Sequence, residues 1–186
     1  IARVPDKPNE DAPYELYRDG RFVDYQDLEA GTAADALTGS QRMFRELYDA
    51  MLAAQNQNKG DVLVFVHGFQ FTLKDSLENL YQIKHAYLDP PDSRIGHIVY
   101  VSWPSVGRFL SLPRPGAATA YHDDQRDARD TGRCLARAFE RLSLFMEQFF
   151  VTWTAQGKEK QKNPLCGHKV HLAAHSMGNQ VVERFM

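Results

Sequence analysis

The chain has 186 residues, 43% of them hydrophobic and 25% charged, with a formal net charge of −2. This is the length and balance of one globular domain able to bury a real core, and its charge gives no reason to expect nucleic acid or an anionic membrane surface as a partner. No stretch is long and apolar enough for a membrane span, and two cysteines, Cys134 and Cys166, make no disulfide framework, so the expected location is the cytoplasm.

Residues 1–38 read as a lead-in. Pro5, Pro8 and Pro13 mark a loose start. Asp19-Gly20 then stands between Tyr14–Arg18 and Arg21–Tyr25, a strong short hairpin signal, and residues 26–38 form a polar, alanine-rich connector. The core is expected over residues 39–186. Ser40 to Gln55 carries Met43, Leu47, Met51 and Leu52 at helical spacing, a helix to pack on a sheet. Asp61 to Val66 is an unbroken apolar run of the kind buried on both faces of a parallel sheet. Thr72 with Asp75 three residues on is a capping-box pair opening a helix, which Asp89-Pro90-Pro91 stops.

His97 to Trp103 is the next strand, and Pro104 ends it. The proline-rich residues 104–118 form a loop at the carboxyl ends of the strands, where open α/β sheets bind ligands. Phe109, Leu110 and Leu112 are candidates to line an acyl pocket there, or to pack the loop on itself. Tyr121 to Gln156 is a long helix whose stripe of Ala128, Thr131, Leu135, Ala138, Leu142, Phe145 and Phe149 is core. Cys134, Phe139, Met146, Phe150 and Trp153 widen it, and the mixed charges from Asp123 to Arg141 form a solvated face. After a lysine-rich turn, His168 to His175 is the last strand, and Gln180 to Met186 a closing helix. The order is a right-handed parallel βαβ series.

The chemistry gathers at two strand ends. In Ala174-His175-Ser176-Met177-Gly178 a serine stands between small residues at the end of an apolar strand and the start of a helix. A nucleophile elbow needs such residues two before and two after the serine for its backbone to close. Alanine takes the first of these positions, where the common pattern has glycine. The other strand ends in His67-Gly68-Phe69, and its glycine admits a close backbone approach. These two motifs, with Val101-Ser102-Trp103-Pro104-Ser105, resemble the α/β-hydrolase superfamily, and in particular its bacterial branch of unknown function, over roughly residues 40–186.

That resemblance implies an α/β fold: a parallel sheet with helices on both faces, its C-terminal part lying beyond this chain. It implies Ser176 as nucleophile, the backbone N–H groups of Phe69 and Met177 as the oxyanion hole, and a structural His67 that ties the loop down. Gly68, Ala174, His175 and Gly178 support the elbow and the loop. The expected substrate is a small-molecule carboxylic ester or thioester; no cofactor and no metal is called for. The acid and the histidine of a triad follow the serine in this fold, yet the chain ends ten residues after Ser176. They are therefore expected beyond Met186. The missing C-terminal half, or another chain, is expected to cover the edge of strand 170–174, since proteins avoid an exposed apolar edge. A non-catalytic binding or assembly module of the same fold is the alternative reading, and an acyltransferase using the same serine a third.

The other histidines offer little. His175 precedes the nucleophile, with its side chain expected to point away from it. His168 and His171 are placed on opposite faces of the strand by alternation, and His171 and His175 stand about 13 Å apart on one face, too far to share a zinc ion. His85, His97 and His122 read as surface or supporting groups. His122 beside Asp123 or Asp124 is the one upstream pair placed to approach the site.

Overall fold

The computed structural model describes residues 2–4, 14–16, 39–54, 58–105, 116–155 and 168–186. In chain order the elements are β1 (Ala2–Arg3), β2 (Glu15–Leu16), α1 (Gly39–Ala54), β3 (Asp61–Val66), α2 (Leu73–Ile83) with a π-helical turn (Lys84–Leu88), β4 (Ile95–Val101), α3 (Gly116–Ala155), β5 (Val170–Ala174) and α4 (Gly178–Phe185). They fall into two compact units: residues 1–53 with 141–166, and residues 54–140 with 167–186.

In the first unit β1 pairs antiparallel with β2. The arm Glu15–Leu16 of the expected hairpin thus takes Ala2–Arg3 as its partner, while the turn Asp19-Gly20 and the arm Arg21–Tyr25 lie outside the described residues. In α1 the buried face is Phe44, Tyr48 and Met51, spaced four and three apart. The expected face centred on Met43 and Leu47 is only half-buried, because the larger aromatic rings take the inward positions and remove more apolar area from water.

The second unit is built on a parallel sheet in the order β4-β3-β5. β3 is the middle strand, and Val62, Leu63, Val64 and Val66 are buried, as a strand covered on both faces requires. β5 is an edge among the described strands, and its Val170 and Leu172 are exposed.

α2 begins as its sequence dictates. The Thr72 hydroxyl accepts from the Asp75 amide (3.2 Å), and the Asp75 carboxylate accepts from the Thr72 amide (2.8 Å). The helix then widens into a π turn before Asp89 and Pro90 end it.

α3 packs through small residues. Ala128, Gly132 and Leu135 are buried, and Phe139 stacks at a tilt on Phe185 of α4 at 4.9 Å. The expected stripe is thus rotated toward Gly132. Cys134 belongs to the exposed side, and the side chains of Phe145, Met146, Phe149, Phe150 and Trp153 lie outside those described. The charged face is solvated, with Arg126–Asp123 and Arg133–Asp130 pairs one turn apart. One carboxylate departs from it: Asp124 is buried, one turn before Ala128.

Three strand starts meet at Asp61, whose side chain is buried. Its carboxylate accepts from the Lys169 amide (3.0 Å) and from His171 Nε2 (2.9 Å), with Arg94 Nε and His168 Nδ1 each at 3.8 Å. Burial alone would raise its pKa; the bonds from His171 and the Lys169 amide outweigh that and hold it below the usual carboxylate range. His168 and His171 therefore converge on one carboxylate instead of pointing to opposite faces. β5 starts only at Val170, so strand alternation does not govern His168.

Gly132 tests the helix crossing. An added Cβ there would run into the Val181 carbonyl and lie 2.7 Å from Arg184 Cβ. Gly132→Ala gains about 1 kcal/mol of helix propensity but forces backbone apart at a cost of roughly 1–3 kcal/mol. A lower chemical-denaturation midpoint is expected; a higher one would contradict the close crossing.

Candidate active site

Ser176 follows the carboxyl end of β5 with φ of 51°. A non-glycine residue in this left-handed region costs roughly 1–2 kcal/mol, so the turn must be held from outside. It is. The His175 amide donates to the Val66 carbonyl (3.0 Å), continuing the β3–β5 ladder one residue past the strand. The Gly178 amide then returns to the His175 carbonyl (2.9 Å), while the Asn179 amide (3.1 Å) and side-chain Nδ2 (2.8 Å) both donate to the Ser176 carbonyl. The chain reverses within four residues and runs directly into α4.

Gly178 is where the turn meets β3. A Cβ there would stand 2.5 Å from the His67 carbonyl oxygen and 2.8 Å from that of Val66. Gly68 is constrained from the other side: a Cβ on it would lie 2.6 Å from His175 Nδ1 and 3.2 Å from Ser176 Cβ. The two motifs are therefore in contact, each with a glycine where the other's backbone or serine arrives. The His175 ring lies beside Gly68, and both His175 and Ser176 are exposed, whereas Met177 is buried with Val66, Trp103, Ala128, Leu135 and Val181.

His67 is fully buried, and both ring nitrogens are used. Nδ1–H donates to the Gly68 carbonyl (2.7 Å), and Nε2 accepts the Trp103 amide (3.0 Å). One donor and one acceptor define a neutral imidazole. Burial also pushes its pKa down. The ring lies nearly parallel to the Trp103 indole at 5.6 Å and stacks on Phe71 at 5.0 Å. The loop then passes through Gln70 with φ of 63°. Among the described residues Gln70 and Ser176 are the non-glycine positions with positive φ, and they lie on the two segments that meet at Gly68.

Several groups are placed away from this site or carry no bond to it. No side chain among the described residues hydrogen-bonds the Ser176 hydroxyl. His122 is exposed, with Nδ1 at 3.3 Å from Gln125 Oε1 on its own helix. His168 and His171 stand at the opposite ends of the strands with Asp61. His97 is not a surface group: its Nε2 is buried and has no hydrogen-bond partner among the described residues. Those residues hold no cluster of three or more metal-ligating side chains. The loop with Phe109, Leu110 and Leu112 lies outside them. The sequence marked Trp103 and Ser105 only as part of a family-like stretch. The structure gives them contacts with His67 and Phe71, and the pairing of a buried-strand exit with two serines and an indole was the available signal.

A parallel sheet with a strained serine turn after one strand, in contact with a His-Gly loop after the next, is an α/β-hydrolase architecture. The sequence model of an alpha/beta hydrolase family of unknown function (DUF900) matches residues 46–186, and the chain belongs to that family. No curated protein and no solved structure matches the chain. No described helix is long and apolar enough to cross a membrane.

Two predictions follow from the geometry. Gly178→Ala places a methyl against two carbonyl oxygens that β3 cannot withdraw, so the elbow opens; loss of roughly 2 kcal/mol or more of stability is expected by denaturant titration, and a neutral effect would contradict the contact. The second concerns pH. His67 and His97 are both lowered by burial, whereas in the unfolded chain they titrate near about 6.5. The unfolded state then binds more protons below that pH, so stability falls as pH drops from about 6.5. Asp61, lowered instead, contributes its stability above about 3.9 and changes nothing in that window. The thermal midpoint should decline from pH 7.5 to 5.5; a flat profile would contradict neutral, buried rings.

Proposed function

We propose that this protein is a serine hydrolase of carboxylic ester or thioester bonds, working through an acyl-enzyme at Ser176. The observation that carries the reading is the left-handed backbone of Ser176, held against Gly68 of the neighbouring loop. Strain of this kind persists only where the surroundings impose it, and it gathers at active sites. In this reading the Ser176 hydroxyl oxygen attacks the carbonyl carbon and its proton passes to a general base. The tetrahedral oxyanion accepts hydrogen bonds from the Phe69 and Met177 amides. The C–O or C–S bond then breaks, and the alcohol or thiol leaves with a proton. Water attacks the acyl-enzyme in the same way and releases the acid. Each oxyanion donor is typically worth about 3 kcal/mol of barrier.

His67 is not that base, since its nitrogens are committed to Gly68 and Trp103. It serves as the support beneath the loop, with Gly68, Ala174, His175 and Gly178. The base and its acid come, in this reading, from outside the described residues. The open edge of β5, with Val170 and Leu172 exposed, suits a further strand from elsewhere in the protein or from another chain, and such a strand would carry further groups to the same end of the sheet.

The test is covalent. A fluorophosphonate probe should label the purified protein at the peptide containing Ser176, and Ser176→Ala should take no label. Failure of the wild type to react would remove the hydrolase reading and leave the binding-module alternative. Capture of the acyl group by an added alcohol or amine in preference to water would make the protein an acyltransferase.

A further inference from the structure

The loop that would offer the Phe69 amide cannot hold its own shape. It passes through Gln70 at φ of 63°, a strained conformation for a residue with a Cβ. A short segment after β4 holds both of its ends. Trp103 takes hold of the loop's start twice: its backbone amide donates to His67 Nε2 (3.0 Å), and its indole Nε1–H donates to the His67 carbonyl (2.9 Å). Ser105 takes hold of the loop's end. Its Oγ accepts the Phe71 amide (3.1 Å) and lies 3.4 Å from the Phe71 carbonyl, to which it donates. Both Trp103 and Ser105 are buried, Ser105 completely. Ser102 anchors the segment in turn, with its Oγ 3.2 Å from that of the buried Ser76 on α2.

We infer that Ser102–Ser105 is a clamp that aims the oxyanion loop, with Trp103 and Ser105 as positioning residues for reaction at Ser176; this rests on the hydrolase reading above. The clamp holds residues 67 and 71, the two ends of the stretch that carries the Phe69 N–H. Removing the Ser105 hydroxyl leaves the part-buried amide and carbonyl of Phe71 without this partner. The loop end then moves toward other partners, and the strain at Gln70 favours that movement. A turn of the intervening peptides takes the Phe69 amide off the oxyanion while leaving Ser176 and its elbow in place. The clamp therefore acts on the transition state and not on binding of the uncharged reactant.

The experiment uses the full chain and fluorophosphonate-biotin, measuring how the labelling rate at Ser176 saturates with probe. Ser105→Ala is expected to lower the limiting rate at least about tenfold, a part of the loss known for deleting an oxyanion donor outright, with the half-saturating probe concentration within about twofold of wild type. Trp103→Phe keeps an aromatic ring against His67 and loses the indole N–H together with part of the ring volume, so it remains testable should Ser105→Ala fail to fold; it is expected to shift the rate in the same direction. A thermal midpoint above the assay temperature establishes that each variant is folded. Folded variants labelled at the wild-type limiting rate would overturn the clamp while leaving the hydrolase reading intact. Variants that change only the half-saturating concentration would overturn it too. A wild type that takes no label would overturn the hydrolase reading and the clamp together.

Discussion

The site depends on one backbone contact. Gly178, the second residue after the serine, sits against the carbonyl oxygens of Val66 and His67 with no room for a single carbon more. This contact fixes how far α4 stands from the end of β3, and hence how tightly the chain must turn after β5. The tightness of that turn puts Ser176 at φ of 51°. It also brings Gly68 against the serine. The burial of Met177 and Val181 with Trp103 and with Ala128 and Leu135 of α3 supplies the apolar free energy that offsets the strain.

His67 is the second element of the same constraint. A histidine at a strand end next to a serine suggests catalysis, but its chemistry here is that of a structural ring: buried, neutral, and bonded at both nitrogens. Its stack with Trp103, within 10° of parallel, joins the ends of β3 and β4, so that three successive parallel strand ends are tied into one rigid rim. A corresponding tie holds the other end of the sheet, where Asp61 at the start of β3 gathers Arg94, Lys169 and His171. An electrostatic staple at one end and an aromatic one at the other leave the middle of β3 to apolar packing alone.

What the sequence disclosed and what it withheld follow from the range of each interaction. The bounds of β3, the cap at Thr72 and the elbow pattern were legible because their determinants are local: an apolar run, a polar pair three residues apart, small residues around a serine. The family resemblance was carried by those same short stretches. On the buried face of α3, Ala128 and Leu135 were legible from their spacing, but Gly132 was not, because it faces inward against the Val181 carbonyl on another helix and nothing in its own neighbourhood marks that. Ser105 and Asp61 were overlooked for the same reason. Their partners lie 34 and up to 110 residues away in sequence, and a lone serine or aspartate carries no periodicity.

In the proposed function, the turn at Ser176 and the His-Gly loop form a preorganised oxyanion site. The most direct measurement is a crystal structure of the phosphonylated protein. The expected result is phosphorus bonded to Ser176 Oγ, with the phosphoryl oxygen about 2.7–3.1 Å from both the Phe69 and the Met177 amide nitrogens and Ser176 still at positive φ. A phosphoryl oxygen turned to solvent, or held by other groups with both amides unengaged, would contradict it.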